Sequence, residues 1–221
     1  MSDLRNKLKK LISEQGNLLF GVADVTSFKS YWLELPEKAV KGLNYGISIG
    51  LPLSKGVLSS IEAAPTRLYS YHYKQVNYFL DRLGVLVTNF IQAEKYNALP
   101  IPASQTIDHA KQKAHLSHRA VAIAAGLGWK GRNNLLVNPL YGSAVRLVTI
   151  LTDMPLGFDK PLDKGCGNCI KCISLCPAGS IKTDPKEFDS ESCYKKLCEF
   201  QKIPGIGHHI CGICVNACMG N

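Results

Sequence analysis

The first 165 residues of this 221-residue chain contain no cysteine, although nine cysteines follow them. A disulfide framework normally spreads its bridges over a secreted fold, so this distribution argues against one. Several of the cysteines are separated by two residues, and the chain opens without an export signal. Metal or cluster ligation in a reducing cytoplasm is therefore the better interpretation.

Long hydrophobic runs are also missing. No apolar run reaches 18 residues, so neither a transmembrane helix nor a membrane partner is expected. The first segment, from Leu4 to Ile12, has apolar residues at helical spacing with charges between them. This pattern predicts an amphipathic helix and not a signal peptide. Hydrophobic residues make up 46% of the chain, which is enough for a sizeable core.

The sequence has no dense run of lysine and arginine, although its formal net charge is +9. Residues 1–158 hold 18 basic and 10 acidic side chains, whereas residues 159–221 hold 8 and 7. The positive excess of the first part suits an anionic cofactor, an anionic substrate or RNA. Scattered solvated lysines explain it equally well, and without a basic-aromatic motif RNA binding is a minority interpretation.

Helical and extended patterns alternate in the cysteine-free part, without a regular βαβ repeat. The predicted elements are strands over 18–25, 43–51 and 143–153 and helices over 66–98 and 117–128. A mixed α/β or α+β fold follows from this order. The Pro- and Gly-rich stretch 155–165 predicts a linker, so we expect one domain over 1–158 and a second over 159–221.

The stretch GLGWKG, residues 126–131, has the spacing G-x-G-x-x-G of dinucleotide-binding loops. Such a loop needs a strand before it and a helix after it. Here a helical pattern precedes the glycines and the extended stretch 134–137 follows them. We therefore reject a Rossmann site and expect the glycines to end the helix and to allow a close backbone approach.

The run CGNCIKCISLCP, residues 166–177, is a complete C-x2-C-x2-C-x3-C-P. In bacterial ferredoxins the first three cysteines of such a run bind one 4Fe–4S cubane and the fourth binds the other. The two-residue spacing allows a tight turn to direct successive thiolates at one cube. Zinc is a minor alternative, because this spacing has no common zinc counterpart.

The C-terminal run, CGICVNACMGN, is one cysteine short of the same pattern. In ferredoxins the last cysteine of each run binds the cube of the other run. The last cysteine here therefore belongs to the first cube, which completes a first set: Cys166, Cys169, Cys172 and Cys218. The second cube then has Cys176, Cys211 and Cys214 and lacks one ligand. Spacing leaves Cys193 and Cys198 open as the fourth ligand, and a 3Fe–4S centre is a minor alternative.

Residues 118–153, HRAVAIAAGLGWKGRNNLLVNPLYGSAVRLVTILTD, together with the two cysteine runs, resemble the epoxyqueuosine reductase family. These are cobalamin-dependent iron–sulfur proteins related to reductive dehalogenases, and the resemblance extends from about Phe20 to the C-terminus. It implies a nitroreductase-like domain that binds a corrinoid, followed by a two-cluster ferredoxin-like module. It also implies that Cys193 completes a second set: Cys176, Cys193, Cys211 and Cys214.

The resemblance further implies which residues would contact the corrinoid: Arg119, Asn133, Asn134, Leu136, Gly142 and Ser143. Packing at a helix end and at a strand start is the competing interpretation of these segments. Family members that act on tRNA have an aspartate as proton donor seven residues before the position of Arg119. Gln112 stands there in this chain, and Asp108 is the nearest carboxylate.

Three functions remain open at this point. The first is a corrinoid-dependent reductase whose electrons come from a donor such as ferredoxin or flavodoxin and reach a small-molecule or modified-nucleoside substrate. The second is the same fold with FMN. The third is a non-enzymatic electron carrier or reductive activator. The chain ends without the C-terminal helical repeats of long family members, so tRNA is expected to be an unlikely partner. His115 and His118 are expected to pack or cap.

Overall fold

The computed structural model describes residues 2–108 and 112–220, and the chain forms two compact units. The first unit comprises the residues up to Leu51, then Asn77–Leu127 and Arg146–Leu162. The second comprises Pro52–Val76, Gly128–Val145 and the residues from Asp163 onward. Two segments that precede the cysteines in sequence are thus grouped with them, while the division at residue 158 stays a prediction.

Six strands and eight helices lie in the described residues. The strands are β1 Leu19–Asp24, β2 Tyr45–Pro52, β3 Ala98–Ile101, β4 Trp129–Lys130, β5 Leu136–Val137 and β6 Val145–Thr152. The helices are α1 Ser2–Ser13, α2 Glu37–Val40, α3 Lys55–Leu58, α4 Arg67–Ala93, α5 His118–Ala124, α6 Lys171–Ser174, α7 Ser190–Gln201 and α8 Ile213–Asn216. Thr26–Tyr31 and Pro185–Glu187 form 3₁₀ turns.

The main sheet has the strand order β1-β2-β6-β3. β1 runs antiparallel to β2, with Leu19 opposite Gly50, and β3 runs antiparallel to β6, with Ala98 opposite Thr152. The two central strands are rich in β-branched residues, and Ile47, Ile49 and Ile150 are completely buried. Such side chains suit the pleated core of a sheet. The predicted mixed α/β fold and its three strands are confirmed.

Glycines in the first unit allow a helix to lie directly on the sheet. A Cβ atom on Gly21 of β1 would stand 2.3 Å from the carbonyl oxygen of Ala125, at the end of α5. A Cβ atom on Gly46 would stand 2.9 Å from a methyl group of Val121. The glycines of these strands therefore allow a close backbone approach, as their position in apolar runs predicts.

The long helix α4 ends earlier than the sequence predicts, at Ala93 instead of about residue 98. Lys95 adopts a left-handed conformation, with φ of 66°. The amide of Tyr96 then donates to the carbonyl of Ile91 at 3.2 Å. This is the closing bond of a Schellman-type helix end, usually built on glycine. A lysine in that place gives no signal in the sequence.

The GLGWKG stretch has the order that the sequence analysis describes. Helix α5 precedes it, Gly126 has a φ of +73°, and β4 follows at Trp129. A Cβ atom on Gly128 would lie 2.2 Å from the carbonyl oxygen of Val137 in β5. The glycines thus end a helix and admit the chain's own backbone, which is not the geometry of a dinucleotide loop.

Long-range hydrogen bonds tie the segment 52–76 to the C-terminal residues of the second unit. The Asn216 side chain donates to the carbonyl of Ile61 at 3.1 Å, and the Ser70 hydroxyl donates to the carbonyl of Ile206 at 2.8 Å.

The part of the chain that the structure describes has no helix with the length and hydrophobicity to cross a membrane.

Candidate functional site

The first cysteine run forms the tight turn that its spacing predicts. The amide of Cys169 donates to the carbonyl of Cys166 at 2.9 Å, and Gly167 between them has a φ of +51°. The short helix α6 then carries Cys172, which is 9% exposed. The turn and the helix bring three thiols to one region of the second unit.

Cys172 has the other members of the first set as neighbours. Burial raises the pKa of its thiol to about 11. The next causes are the negative charges that Cys218, Cys166 and Cys169 would carry as thiolates. Because charge effects of this kind fall off with distance, these thiols lie close to Cys172. Cys218 comes from the opposite end of the module, as the crossed arrangement requires.

The second set lines one cavity. Its empty volume is about 390 Å³, its open mouth included, and its walls include Cys176, Cys193, Cys211 and Cys214. Apolar walls come from the side chains of Ile181, Phe188 and Leu197 among others. Four thiols around an apolar pocket are the donors that iron–sulfur clusters use.

Protonation of the second set reflects its burial. Burial is the main cause that raises the pKa of the Cys193 thiol to about 11. The negative charges that Cys176 and Cys211 would carry as thiolates are smaller causes. Burial also raises the pKa of Cys211 and Cys214. Thiolates in this place need positive charge nearby, which the irons of a cluster supply. The donor set therefore fits a cubane.

Cys193 and Cys198 both lie on α7 but face different surroundings. They are five residues apart, which is about 140° around a helix. Asp189 caps this helix, because its carboxylate accepts from the amide of Ser192 at 3.0 Å. Of the described residues, eleven line the cavity and Cys198 is not among them. Helix geometry thus favours Cys193 as the fourth ligand of the second set.

In residues 2–108 and 112–220, no three His, Cys, Asp or Glu side chains are placed to share one metal ion. A single zinc ion would require its thiolates within about 4 Å of one another. A cubane requires a wider arrangement, because each thiolate binds its own iron at a corner of the cube.

Several predicted corrinoid contacts lie in the second unit and are engaged with one another. The Asn133 amide donates to the Ser143 hydroxyl at 2.8 Å, and both residues are buried. Asn133 is also a wall of the cavity of the second set. Leu136 is buried in β5, and Asn134 has a φ of +60°. These contacts agree with the packing interpretation, and a role in binding a corrinoid stays a prediction.

Gly142 and Ser143 touch the first set through Cys218. The amide of Ser143 donates to the carbonyl of Cys218 at 2.6 Å. A Cβ atom on Gly142 would lie 2.1 Å from that same oxygen. Sequence reasoning treats residues 133–143 and the cysteines as parts of separate domains, whereas these contacts join them within one unit.

Arg119, Asp108 and Gln112 lie in the first unit. Arg119 is on α5, and burial lowers the pKa of its guanidinium. Asp108 forms an isolated antiparallel bridge with Lys113, in which the two backbones exchange hydrogen bonds at 3.0 Å, and Gln112 precedes Lys113 in the chain. Gln112 is exposed with a φ of +51°. Residues 109–111 between them lie outside the described residues.

One histidine follows the sequence prediction, whereas two further side chains, Arg132 and Ser180, escape sequence reasoning. His118 bonds the Thr149 hydroxyl at 2.8 Å and the Pro102 carbonyl at 2.9 Å, which bears out the expectation that it packs. Arg132 donates to the carbonyl of Gly167 at 3.0 Å, while its buried Nε atom has no partner among the residues that the structure describes. The buried hydroxyl of Ser180 likewise has none within that part of the chain. The residue types alone carry no signal for such contacts.

Comparison with known proteins points to one group. No family model matches the chain. Epoxyqueuosine reductase from Bacillus cereus is 36% identical over 114 residues, which cover 48% of this chain and 30% of that protein. The enzyme from Yersinia pestis is 32% identical over 139 residues, covering 59% and 33%. The chain is a homologue of epoxyqueuosine reductase over part of its length. It spans about a third or less of these relatives.

Solved structures show the same fold. An epoxyqueuosine reductase with an epoxyqueuosine-modified tRNA stem loop matches with a TM-score of 0.63 at 23% identity, over 98% of this chain and 64% of that one. A catabolic reductive dehalogenase in complex with 3-bromo-4-hydroxybenzoic acid matches with a TM-score of 0.61 at 18% identity, over 75% and 24%. The epoxyqueuosine reductase neighbour carries a tRNA stem loop, which makes the expectation that tRNA is an unlikely partner of this chain doubtful.

Proposed function

We propose that this chain is an iron–sulfur reductase with two 4Fe–4S clusters. The first set of cysteines would hold one cluster and the second set the other. The enclosure of Cys176, Cys193, Cys211 and Cys214 around one apolar cavity carries the proposal. The neighbours of Cys172 support the first cluster in the same way. A ferredoxin-like module over residues 159–221 is part of the proposal.

The electron acceptor that we propose is a corrinoid held by a nitroreductase-like domain over residues 1–158. Support comes from the homology to epoxyqueuosine reductases and from the fold shared with a reductive dehalogenase studied for B12-dependent dehalogenation. When bound, a corrinoid would supply reductive cleavage of a carbon–oxygen or carbon–halogen bond, while the protein supplies position and exclusion of water.

We further propose that the first cluster lies next to the segment 133–143. Cys218 contacts Ser143 and Gly142 directly through the backbone. The carboxyl of Asp108 would supply the proton. A ferredoxin or flavodoxin is the proposed electron donor.

Anaerobic reconstitution tests this function. The protein should bind about eight iron atoms, as two cubanes require. Addition of cobalamin should shift the corrinoid absorbance bands with micromolar affinity, and addition of FMN should leave the flavin spectrum unchanged. Binding of FMN alone would overturn the corrinoid assignment in favour of a flavin reductase. Binding of neither, with rapid electron transfer to a partner protein, would indicate a carrier.

The substrate class is a second part of the proposal. We propose a modified nucleoside, presented in tRNA, because a structure of this fold binds a modified stem loop. The test compares an epoxyqueuosine-modified stem loop with the unmodified one, at two salt concentrations. Affinity for both that falls steeply with salt would indicate phosphate contacts, and a preference for the modified loop would indicate recognition of the base. Equal, undetectable binding would remove tRNA from the proposal.

A further inference from the structure

Ser180 carries a buried hydroxyl that has no hydrogen-bond partner among the described residues. The residue is 0% exposed, and its Oγ atom is fully buried. An unsatisfied hydroxyl in a protein interior costs about 1–3 kcal/mol. Native structures contain few such groups, and each calls for a hydrogen-bond partner other than the protein atoms described.

The backbone fixes Ser180 beside the second set of cysteines. Its amide donates to the sulfur of Cys176 at 3.4 Å. A turn closed by the amide of Gly179 on the carbonyl of Cys176 holds this geometry, and Gly179 has a φ of +59°. Ala178 and Ile181, on the two sides of this stretch, both line the cavity.

A second backbone contact connects Ser180 to another proposed ligand. Its carbonyl accepts from the amide of Asp189 at 3.0 Å, and Asp189 caps the helix that carries Cys193. The backbone of Ser180 is therefore held between Cys176 and the start of α7, and its neighbours Ala178 and Ile181, not Ser180 itself, are among the residues that line the cavity.

We propose that the Ser180 hydroxyl donates a hydrogen bond to a sulfur of the second cluster and thereby raises its reduction potential. The inference rests on the proposed second cluster. Reduction adds negative charge to the sulfurs, so a donor stabilises the reduced state more than the oxidised state. The backbone amide of the same residue already acts on Cys176 in this way, and the hydroxyl adds a second donor.

The test compares three variants after anaerobic reconstitution. Ser180→Ala removes only the hydroxyl, Ser180→Thr keeps a hydroxyl, and Ser174→Ala removes an exposed hydroxyl from α6 as the matched control. Iron content is measured first, and potentials follow from redox titration monitored by electron paramagnetic resonance. Deuterium exchange then shows whether an exchangeable proton couples to each cluster.

One of the two potentials should become more negative in Ser180→Ala, with iron content unchanged and with the loss of one exchangeable-proton coupling. Ser174→Ala should match the wild type, and Ser180→Thr should recover the potential. Unchanged potentials in Ser180→Ala would overturn the inference. If Ser180→Ala loses iron, Ser180→Thr decides: recovery of cluster and potential supports the hydroxyl, and failure to recover overturns it. About half of the expected iron in the wild type, with no further loss in Cys193→Ala, would instead refute the second cluster itself.

Discussion

The amide of Ser143 donates to the carbonyl oxygen of Cys218 at 2.6 Å, immediately before β6 begins. Gly142 lies against the same oxygen, where a Cβ atom would have no room. The last cysteine of the chain is thus held by its backbone on the segment that leads into the main sheet. If the proposed first cluster is present, this relationship should make it sensitive to changes outside the cysteine runs.

Gly142→Ala should destabilise the protein and release iron from the first set. The φ of +56° would cost roughly 1–2 kcal/mol for any residue with a Cβ atom, and the contact at 2.1 Å adds a clash with backbone. Gly207→Ala is the matched control, because Gly207 has a φ of +64° and no atom within 4 Å of an added Cβ. Thermal unfolding and iron analysis should show a larger loss for Gly142→Ala. Equal losses would contradict the role of the Cys218 contact.

Cys193→Ala should remove about half of the cluster iron, because a cubane without its fourth protein ligand is poorly held. Cys198→Ala should leave iron content unchanged, because Cys198 lies on another side of α7 and outside the cavity lining. The measurement is iron and sulfide per chain after anaerobic reconstitution. Opposite results for the two variants would show that the ligand assignment is wrong.

The sequence predicts the local geometry of the cysteine runs better than it predicts what surrounds them. Cysteine spacing determines tight turns within a few residues, so the local geometry at Cys166 and Cys169 follows from the run itself. Hydrophobic patterns likewise predict α1, most of α4 and three of the four strands of the main sheet, without β3. By contrast, the grouping of segments 52–76 and 128–145 with the cysteines depends on single long-range hydrogen bonds, such as that between Asn216 and Ile61. Contacts of this kind leave no local pattern.

Arg132→Met should make the potential of the first cluster more negative. The guanidinium donates to the carbonyl of Gly167, between two ligands of the first set, and its buried Nε atom is weakly screened by water. A positive charge so placed favours the reduced cluster. Lys171→Met is the matched control, because Lys171 adjoins the same cysteines but is exposed, where solvent and salt screen its charge. Redox titration of both variants provides the measurement. A larger shift for Lys171→Met would contradict the role of Arg132.

His118 should make the first unit less stable as pH falls from about 6.5 to about 4. Burial, with a further contribution from Arg146, lowers the pKa of His118 to about 4. Since Pro102 offers only a carbonyl acceptor, the Nε2 atom of the neutral ring carries the proton, and Nδ1 accepts from the Thr149 hydroxyl. In this pH range the unfolded chain binds a proton that the folded chain does not, so the free energy of unfolding falls with pH. The slope contributed by one such proton is at most about 1.4 kcal/mol per pH unit.

His118→Gln should remove this slope, because glutamine can bond both partners but does not titrate. The measurement is chemical unfolding of the wild type and the variant at several pH values between 4 and 8, with the difference between them isolating His118 from other titrating groups. Above pH 7 the difference should be constant, and below 6.5 it should shift in favour of the variant. A difference that does not change with pH would mean that the folded protein accommodates a protonated His118 between β3 and β6, contrary to the hydrogen bonds described.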